Sequence, residues 1–364
     1  MTHGSIIGYD INAKMCQISY YNEKTQEPET VDTGIEKENN QIPLVMNYYK
    51  ETWTYGRQAR RMSTVRDSIC VEGIWECALG NRKIEVDGQE YEGVQLLADF
   101  VKYTLNGFEE IESITFTVPE KNEDIRVLLK GIGQKLGVAK ENIYVQDYKE
   151  SFCHYMFNQP KELWQYEAAL FYCDEDVIRA YMLRELKNSS QKSRESFVTV
   201  DKVADARMEE LEAVYPVLHV EKAKAADEHF KRFIQSVFNK KMISSVFLTG
   251  DGFENNWYPN SLRVLCNGRR AFMGNNLYSK GAWYPLVSWG NHWYESDRQF
   301  EVLLGDTEDI EIHVDSLVTG RHLVESVSLK GLPDRKNYAL RLKISTFFSD
   351  EKTCHIIFED MGFG

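Results

Sequence analysis

The chain has 364 residues and a formal net charge of −13 at pH 7, with 43% hydrophobic and 27% charged residues. This length exceeds the roughly 250 to 300 residues at which one core stops growing, so two or three domains are expected. The acidic balance excludes nucleic acid and anionic membranes as expected partners, and the lack of a long apolar run or a signal peptide predicts a cytoplasmic protein.

The first 160 residues predict a hairpin followed by alternating strands and helices. An apolar run at Ser5–Ile11 and alternation at Met15–Tyr21 indicate two strands joined by the tight turn Asp10–Lys14. Two short strands and a helical turn are expected next, at Gln41–Tyr49, Thr52–Gly56 and Arg57–Met62. The following pattern predicts helix Val94–Leu105, strand Ser113–Val118, helix Ile125–Leu136, strand Asn142–Gln146 and helix Tyr148–Phe157. This order indicates a mainly parallel sheet covered by helices, which is an α/β architecture.

Residues 161–290 predict a second sheet that begins in the same way. Ala168–Tyr172 and Val177–Leu183 indicate another hairpin, joined by the acidic turn Cys173–Asp176. Residues 184–215 are charged and serine-rich, so they are predicted to form an exposed excursion. A helix beginning at Ala223 and a strand at Ser244–Leu248 are expected next, and the strand leads into a glycine turn at residues 249–252. Such a strand-to-helix turn is where ligands commonly bind in open α/β sheets.

The tail changes to a period of two. From Phe300 onward apolar and polar residues alternate, as where Leu340, Leu342 and Ile344 alternate with Arg341, Lys343 and Ser345. The last ~65 residues are therefore expected to form a small antiparallel β domain with one face in water. The sequence thus predicts three parts, at residues 1–160, 161–290 and 291–364.

The cysteines and histidines give no indication of a metal site or a disulfide scaffold. Seven cysteines are scattered through the chain without a C-x-x-C pair, and none of the eight histidines stands in an H-E-x-x-H motif. We therefore expect buried free thiols and no bound metal held by these residues.

Several segments, in this order over nearly the whole chain, resemble motifs of the actin and DnaK-type heat-shock chaperone superfamily. Gly8–Asp10 resembles the first phosphate motif, and Leu248–Phe253 stands where the adenosine motif would be. The other matching segments are Ile42–Val45, Tyr55–Ala59, Ile114–Pro119, Tyr144–Tyr155, Gly274–Asn276, Lys280–Ala282 and Leu329–Glu359. The chain also resembles a bacterial family of chaperone-like proteins without an established activity.

The resemblance implies a two-lobe actin-like ATPase fold with ribonuclease-H-like lobes, followed by part of a chaperone substrate-binding sandwich. It implies ATP or ADP with magnesium as the ligand. The chain departs from the family at both phosphate hairpins: Asp10–Lys14 has no glycine, and Asp174, Glu175 and Asp176 replace the glycines of the second turn. Each carboxylate at ~4 Å would repel a phosphate charge by about 1 kcal/mol in water and more near a protein surface. It therefore stays open whether any nucleotide binds.

The resemblance nominates a set of candidate residues for nucleotide binding. Asp10 would hold magnesium or a water, Lys14 would reach a phosphate, and the glycines after the strand would contact adenosine. The full set is Asp10, Asn12, Lys14, Gly250, Asp251, Gly252, Phe253 and Gly274. Ordinary roles are the alternative: a carboxylate capping the hairpin turn, a solvated lysine and an unremarkable glycine turn.

Other residues near these motifs have two interpretations. Glu150 lies near the place of the family's catalytic glutamate, although Gln146-Asp147-Tyr148 departs from the motif. Aromatic residues beside the glycine turn could stack on a base or pack in the core. They are Trp257, Tyr258, Tyr278, Trp283 and Tyr284.

The sequence favours a chaperone-like binding or scaffold protein with a degenerate nucleotide site and without efficient ATP hydrolysis. A working ATPase with nonstandard phosphate loops is the alternative, and a sugar-kinase-like enzyme on the same fold lacks an identifiable catalytic aspartate. A short antiparallel sheet leaves edge strands open for strand addition, so a protein partner or a second copy is expected to dock on the tail, with Leu340–Ser345 as the edge.

Overall fold

The computed structural model describes residues 5–22, 24–25, 27–32, 40–187, 196–209, 211, 220–274, 276–288 and the strands between residues 298 and 363. The chain divides into two compact units. Unit 1 comprises Met1–Arg184 and Val200–Val287, and unit 2 comprises Glu185–Thr199 and Ser288–Gly364. Strands and helices alternate in unit 1, so the mixed α/β class predicted from the sequence is confirmed.

The secondary structure elements follow in chain order. The first half contains β1 (Ser5–Ile11), β2 (Met15–Asn22), β3 (Glu27–Thr30), β4 (Ile42–Pro43), β5 (Met46–Tyr49), β6 (Thr52–Tyr55), α1 (Gly56–Met62), β7 (Ile69–Val71), α2 (Ile74–Leu79), β8 (Lys83–Val86), β9 (Gln89–Glu92), α3 (Gly93–Thr104), β10 (Ile111–Val118), α4 (Glu123–Lys135), β11 (Ile143–Asp147) and α5 (Tyr148–Phe157). The second half contains β12 (Glu167–Asp174), β13 (Val177–Lys187), β14 (Ser196–Arg207), α6 (Val220–Val237), β15 (Ile243–Thr249), α7 (Pro259–Leu265), β16 (Arg270–Met273), α8 (Asn276–Ser288), β17 (Arg298–Leu304), β18 (Ile310–Val318), β19 (Arg321–Leu329), β20 (Leu340–Asp350) and β21 (Thr353–Phe363).

Unit 1 contains two large sheets with the same strand order. The first runs β11-β10-β1-β2-β3, and the second contains β16-β15-β12-β13-β14. In the first sheet β1 is antiparallel to β2 and parallel to β10, which is parallel to β11; the short strand β4 also pairs with β2. In the second sheet β12 is likewise antiparallel to β13 and parallel to β15, which is parallel to β16. The two halves of unit 1 therefore repeat one topology, as the repeated opening hairpin predicts.

Each sheet has its own apolar core. In the first, the β1 and β10 side chains, among them Ile7, Tyr9 and Phe116, pack with α2, α3 and α4. In the second, Phe171 and Leu248 of the sheet pack with Phe230 of α6. Burial of these large side chains supplies most of the driving force for each half, at roughly 25 cal/mol per Å² of apolar surface.

Helices α5 and α8 connect the two sheets. Helix α5 follows the first sheet, yet its Phe152 lies edge-on to Phe247 of the second sheet at 5.6 Å between ring centroids. Helix α8 follows the second sheet, yet its Ser279 Oγ lies 2.7 Å from Ser19 Oγ of β2. Each helix therefore contacts the sheet of the other half, which holds the two halves in one unit.

Most of the predicted elements are confirmed, since both hairpins and the helices α3, α4 and α5 lie where the pattern predicts them. One prediction is wrong: residues 184–215 are not wholly an excursion, because Ser196–Arg207 forms strand β14. The charged residues of this strand make it hard to recognise from the sequence. In the structure Val200 is buried and Asp201 pairs with Arg184. Residues 188–195 of the predicted excursion lie outside the described residues.

Unit 2 is made of strands in its described part. Strands β17, β20 and β21 form an antiparallel sheet, and β18 pairs antiparallel with β19. Residues 197–199 of β14 run parallel to residues 322–324 of β19. Because β20 lies between β17 and β21, the prediction that Leu340–Ser345 is an edge is wrong. Among the described strands, the edges of this sheet are β17 and β21.

Candidate functional site

A cleft of about 1110 Å³ opens in unit 1 where the turns of the two hairpins meet. The first turn contributes Asn12, Ala13 and Lys14, and the second contributes Asp174. Gly250 and Asp251, which follow β15, line the same cleft. The cleft thus brings together the turns and the glycine segment that the sequence nominated as one site.

Lys14 forms an ion cluster across this cleft. Its Nζ lies 3.0 Å from Asp174 Oδ1, 3.1 Å from Glu175 Oε1 and 3.2 Å from Asp251 Oδ2. Partial burial lowers the pKa of the Lys14 ammonium, but the hydrogen bond to Asp174 and the charge of Asp251 outweigh it, so the pKa lies above its ordinary value. The lysine that was expected to reach a phosphate is therefore charged and bound to carboxylates.

The ion cluster carries an excess of negative charge. One positive and three negative charges leave a formal charge of −2 at the place where two phosphate hairpins would converge. Exposed pairs of this kind stabilise a fold by at most about 1 kcal/mol each, so the main effect of the cluster is electrostatic. A nucleotide phosphate would have to displace Lys14 and then lie beside three carboxylates. The Lys14 cluster therefore does not fit the triphosphate of a nucleotide.

The hairpin turn itself is closed by side chains and not by glycines. Asn12 Oδ1 accepts hydrogen bonds from the backbone N–H groups of Lys14 (2.8 Å) and Met15 (3.0 Å). Asn12 Nδ2 donates to the Tyr148 hydroxyl at 3.3 Å. Because the turn amides already have an acceptor within the chain, they do not form the inward-pointing cradle that binds phosphate.

Asp10 is buried behind the cleft and does not line it. Its Oδ1 accepts a hydrogen bond from the Tyr148 hydroxyl at 2.8 Å, and its buried Oδ2 has no hydrogen-bond partner in the described structure. Complete burial raises the pKa of the Asp10 carboxyl to about 8, and the Tyr148 bond offsets only part of the shift. The carboxyl is therefore mostly protonated at pH 7, a state that suits neither magnesium binding nor water activation.

Three tyrosines fill the space beside Asp10. Tyr148 of α5 stacks on Tyr278 of α8 with ring centroids 3.6 Å apart, and Tyr172 of β12 lies edge-on to Tyr148 at 5.5 Å. Burial raises the pKa of Tyr148 and Tyr278 well above the ordinary value, so both hydroxyls stay protonated. Tyr278, one of the aromatic residues that could stack on a nucleotide base, therefore stacks on Tyr148 from the other half of unit 1.

The two glycines after β15 have a packing role. Gly250 has φ +95°, and a Cβ at Gly250 or at Gly252 would overlap Cys173 at the end of β12. Phe253 is buried against Phe230 in the second core. A Cβ at Gly274 would meet nothing closer than Asn276 Oδ1 at 3.7 Å, although its φ of +147° favours glycine. The first two glycines let the turn approach the β12–β13 hairpin.

The remaining candidates make contacts within the protein. Glu150 completes a capping box with Asp147 at the start of α5 and pairs with Lys121 at 2.7 Å. Among the aromatic candidates, Trp257 and Tyr258 belong to the second core, and Trp283 stacks on Tyr21 at 5.4 Å. Tyr284 lies edge-on to Tyr155. These contacts account for the burial of the aromatic side chains.

Sequence reasoning missed the arginines of the cleft. Arg57, Arg60 and Arg61 of α1 line it, and so does Arg179 of β13. The sequence does indicate a basic helix face, because Arg57, Arg60 and Arg61 stand at positions i, i+3 and i+4, which lie on one face of a helix. The position of Arg179 in the same cleft depends on tertiary structure.

Two general features bear on ligand classes. Within the part of the chain that the structure describes, no group of three or more His, Cys, Asp and Glu side chains is arranged to hold a metal ion. Among the described helices, none combines the length and the apolar character needed to cross a membrane.

Comparison with known proteins gives a family but no activity. Residues 27–297 match the C-terminal part of a family of unknown function, DUF5716. Residues 273–364 match a domain of unknown function, DUF8552, which covers most of unit 2. The chain matches none of the curated proteins.

Proposed function

The chain belongs to the DUF5716 family, since the match spans most of its length, and we propose that it is a chaperone-like binding or scaffold protein with a degenerate nucleotide site. It acts in this proposal without efficient ATP hydrolysis. It works in the cytoplasm and binds no nucleic acid, in keeping with its net charge of −13.

The repeated topology supports an actin-type two-lobe body. Both sheets of unit 1 have the strand order that places the first hairpin beside two parallel strands. Helices α5 and α8 each follow one sheet and pack on the other. A cleft lies where the two hairpin turns meet, as the resemblance implies for a nucleotide. A similar fold can host an enzyme or a scaffold, so the function has to be inferred from the residues of the cleft.

The Lys14 ion cluster is the observation that carries the proposal. Three carboxylates surround the one lysine of the hairpin turns, and the protonated Asp10 lies out of reach of the cleft. A site that hydrolyses ATP needs positive charge and backbone N–H groups where negative charge develops. At the hairpin turns of this chain the net charge is negative instead.

We expect ATP and ADP, each with magnesium, to cause no shift in the thermal unfolding midpoint of the full chain that is lost in the Lys14→Gln variant. A ligand present at 100 times its Kd would stabilise the folded state by about 2.7 kcal/mol, which a thermal-shift titration detects easily. ATP hydrolysis should not exceed a buffer blank, and Asp10→Ala should leave that rate unaltered.

A positive result would favour the alternative, an active ATPase with nonstandard loops. Magnesium-dependent turnover that Asp10→Ala abolishes would contradict the scaffold proposal. A thermal shift with ATP that Lys14→Gln removes would place the phosphates at the hairpin turns and contradict the degenerate site.

The partner is proposed to dock through the C-terminal β domain. Among the described strands of unit 2, β17 and β21 form the edges of the antiparallel sheet, and unpaired backbone groups on an edge are templates for a further strand. A chain ending near Ser296 should lose the interactions that a pull-down finds with the full chain. If the shortened chain is folded by circular dichroism and keeps every interaction, the contact surface lies elsewhere.

A further inference from the structure

The arginines of the cleft suggest a binding site separate from the hairpin turns. Helix α1 presents Arg57, Arg60 and Arg61 to the cleft, and strand β13 adds Arg179 from the other half of unit 1. We propose that these arginines form a binding site for a small molecule with several phosphate or carboxylate groups.

The arrangement of these side chains supports an anion. Arg57 is oriented by the carbonyl oxygen of Gln41, to which its Nε and Nη2 donate at 3.3 and 3.0 Å. Within the described residues, no ion pair holds Arg60, Arg61 or Arg179. Guanidinium groups bind phosphate and carboxylate in a bidentate geometry, which makes Arg60, Arg61 and Arg179 well suited to such ligands.

The dipole of helix α1 does not by itself explain why four arginines line the cleft. Basic residues in the last turn of α1 interact favourably with the helix dipole, which would account for Arg60 and Arg61. It does not account for Arg179, which comes from a strand of the second sheet and is half-buried in the same cleft. Positive groups from both halves therefore face one volume.

The cleft has room for a small molecule with several charged groups. Its volume of about 1110 Å³ lies slightly above the range of about 300 to 1,000 Å³ that is typical of small-molecule sites. The cleft is also lined by acidic residues, so a ligand with a single negative charge would gain little over water; these residues are Glu72, Glu76, Glu120, Asp174 and Asp251. A multiply charged anion can contact two or more arginines at once, which favours polyphosphates and polycarboxylates.

The inference rests on the cleft geometry and does not depend on the scaffold function. Isothermal titration of the full chain with tripolyphosphate and, separately, with citrate at fixed ionic strength provides the test. We expect at least one of the two probes to bind, and the tighter one identifies phosphate or carboxylate as the recognised group. The double variant Arg60→Gln and Arg61→Gln should weaken that binding by about tenfold or more.

Controls locate the anion. Arg66→Gln with Arg263→Gln removes two exposed arginines outside the cleft lining and should leave the affinity unchanged. Arg179→Gln should weaken binding, and circular dichroism shows whether each variant is folded. The inference is overturned if neither probe binds, or if the cleft and control variants bind equally well. It is also overturned if Lys14→Gln alone weakens binding, because the anion would then lie at the hairpin turns.

Discussion

Replacement of Asp10 by asparagine should raise the free energy of unfolding at pH 7 by roughly 4 kcal/mol. The carboxyl is fully buried, its Oδ2 lacks a hydrogen-bond partner in the described structure, and its pKa rises from 3.8 to about 8. Asparagine keeps an oxygen that can accept the Tyr148 hydroxyl. It carries no charge at any pH, so it imitates the protonated acid.

The sign of the pH dependence follows from the raised pKa. Between pH 3.8 and about 8 the folded chain holds the Asp10 proton while the unfolded chain has released it. Because the unfolded state binds fewer protons, the stability contributed by Asp10 falls as pH rises through this window, by up to about 1.4 kcal/mol per pH unit. The gain from Asp10→Asn should therefore grow from pH 4 to pH 8 and level off above.

Urea unfolding of both proteins at pH 4, 6 and 8 measures the difference. Asp227→Asn is a matched control, because Asp227 is also buried, but both of its carboxylate oxygens accept backbone N–H groups, from Asn260 and Ser261 at 2.8 Å. That substitution should lower stability by about 1 to 3 kcal/mol, since one N–H would lose its acceptor. A loss of stability with Asp10→Asn at every pH would mean that Asp10 is ionised and paired in the folded state.

Local patterns were sufficient for the elements that carry long apolar runs. The strands β1, β10, β12 and β15 and the helices α3 and α4 show their periods within a single window of sequence. The hairpin of β8 and β9 was missed because its strands are short and charged. Its Asp87-Gly88 turn, with φ of 52° and 73°, is nevertheless a typical hairpin signal.

The sequence alone predicts what the candidate site lacks, but not which side chains meet there. The absence of glycine from both hairpin turns is visible in the sequence and argues against a phosphate cradle. That Lys14 bonds to Asp174 and Asp251 is not visible, because those residues are 160 and 237 positions away. The same holds for the Tyr148–Tyr278 stack, which forms because α5 and α8 each contact the sheet of the other half.

Helix α8 contacts helix α5 at Gly281. The substitution Gly281→Ala should therefore lower the free energy of unfolding by roughly 3 kcal/mol. A Cβ at this position of α8 would overlap the carbonyl oxygen of Ser151 in α5. The obstacle is backbone and not the end of a flexible side chain, so one helix must shift as a whole. Gly8 shows the same feature on β1, where a Cβ would overlap the Ser279 carbonyl oxygen.

Gly131→Ala is the matched control for this prediction. Gly131 also lies inside a helix, α4, but a Cβ there would meet nothing within 4 Å. The methyl group should therefore raise stability by about 0.5 to 1 kcal/mol through helix propensity alone. Urea unfolding followed by tryptophan fluorescence measures both variants, and a Gly281→Ala protein as stable as the parent would show that α8 does not approach α5 this closely. A loss confined to Gly281→Ala would identify the helix crossing as the contact that fixes the two sheets, and with them the Lys14 cluster and the cleft.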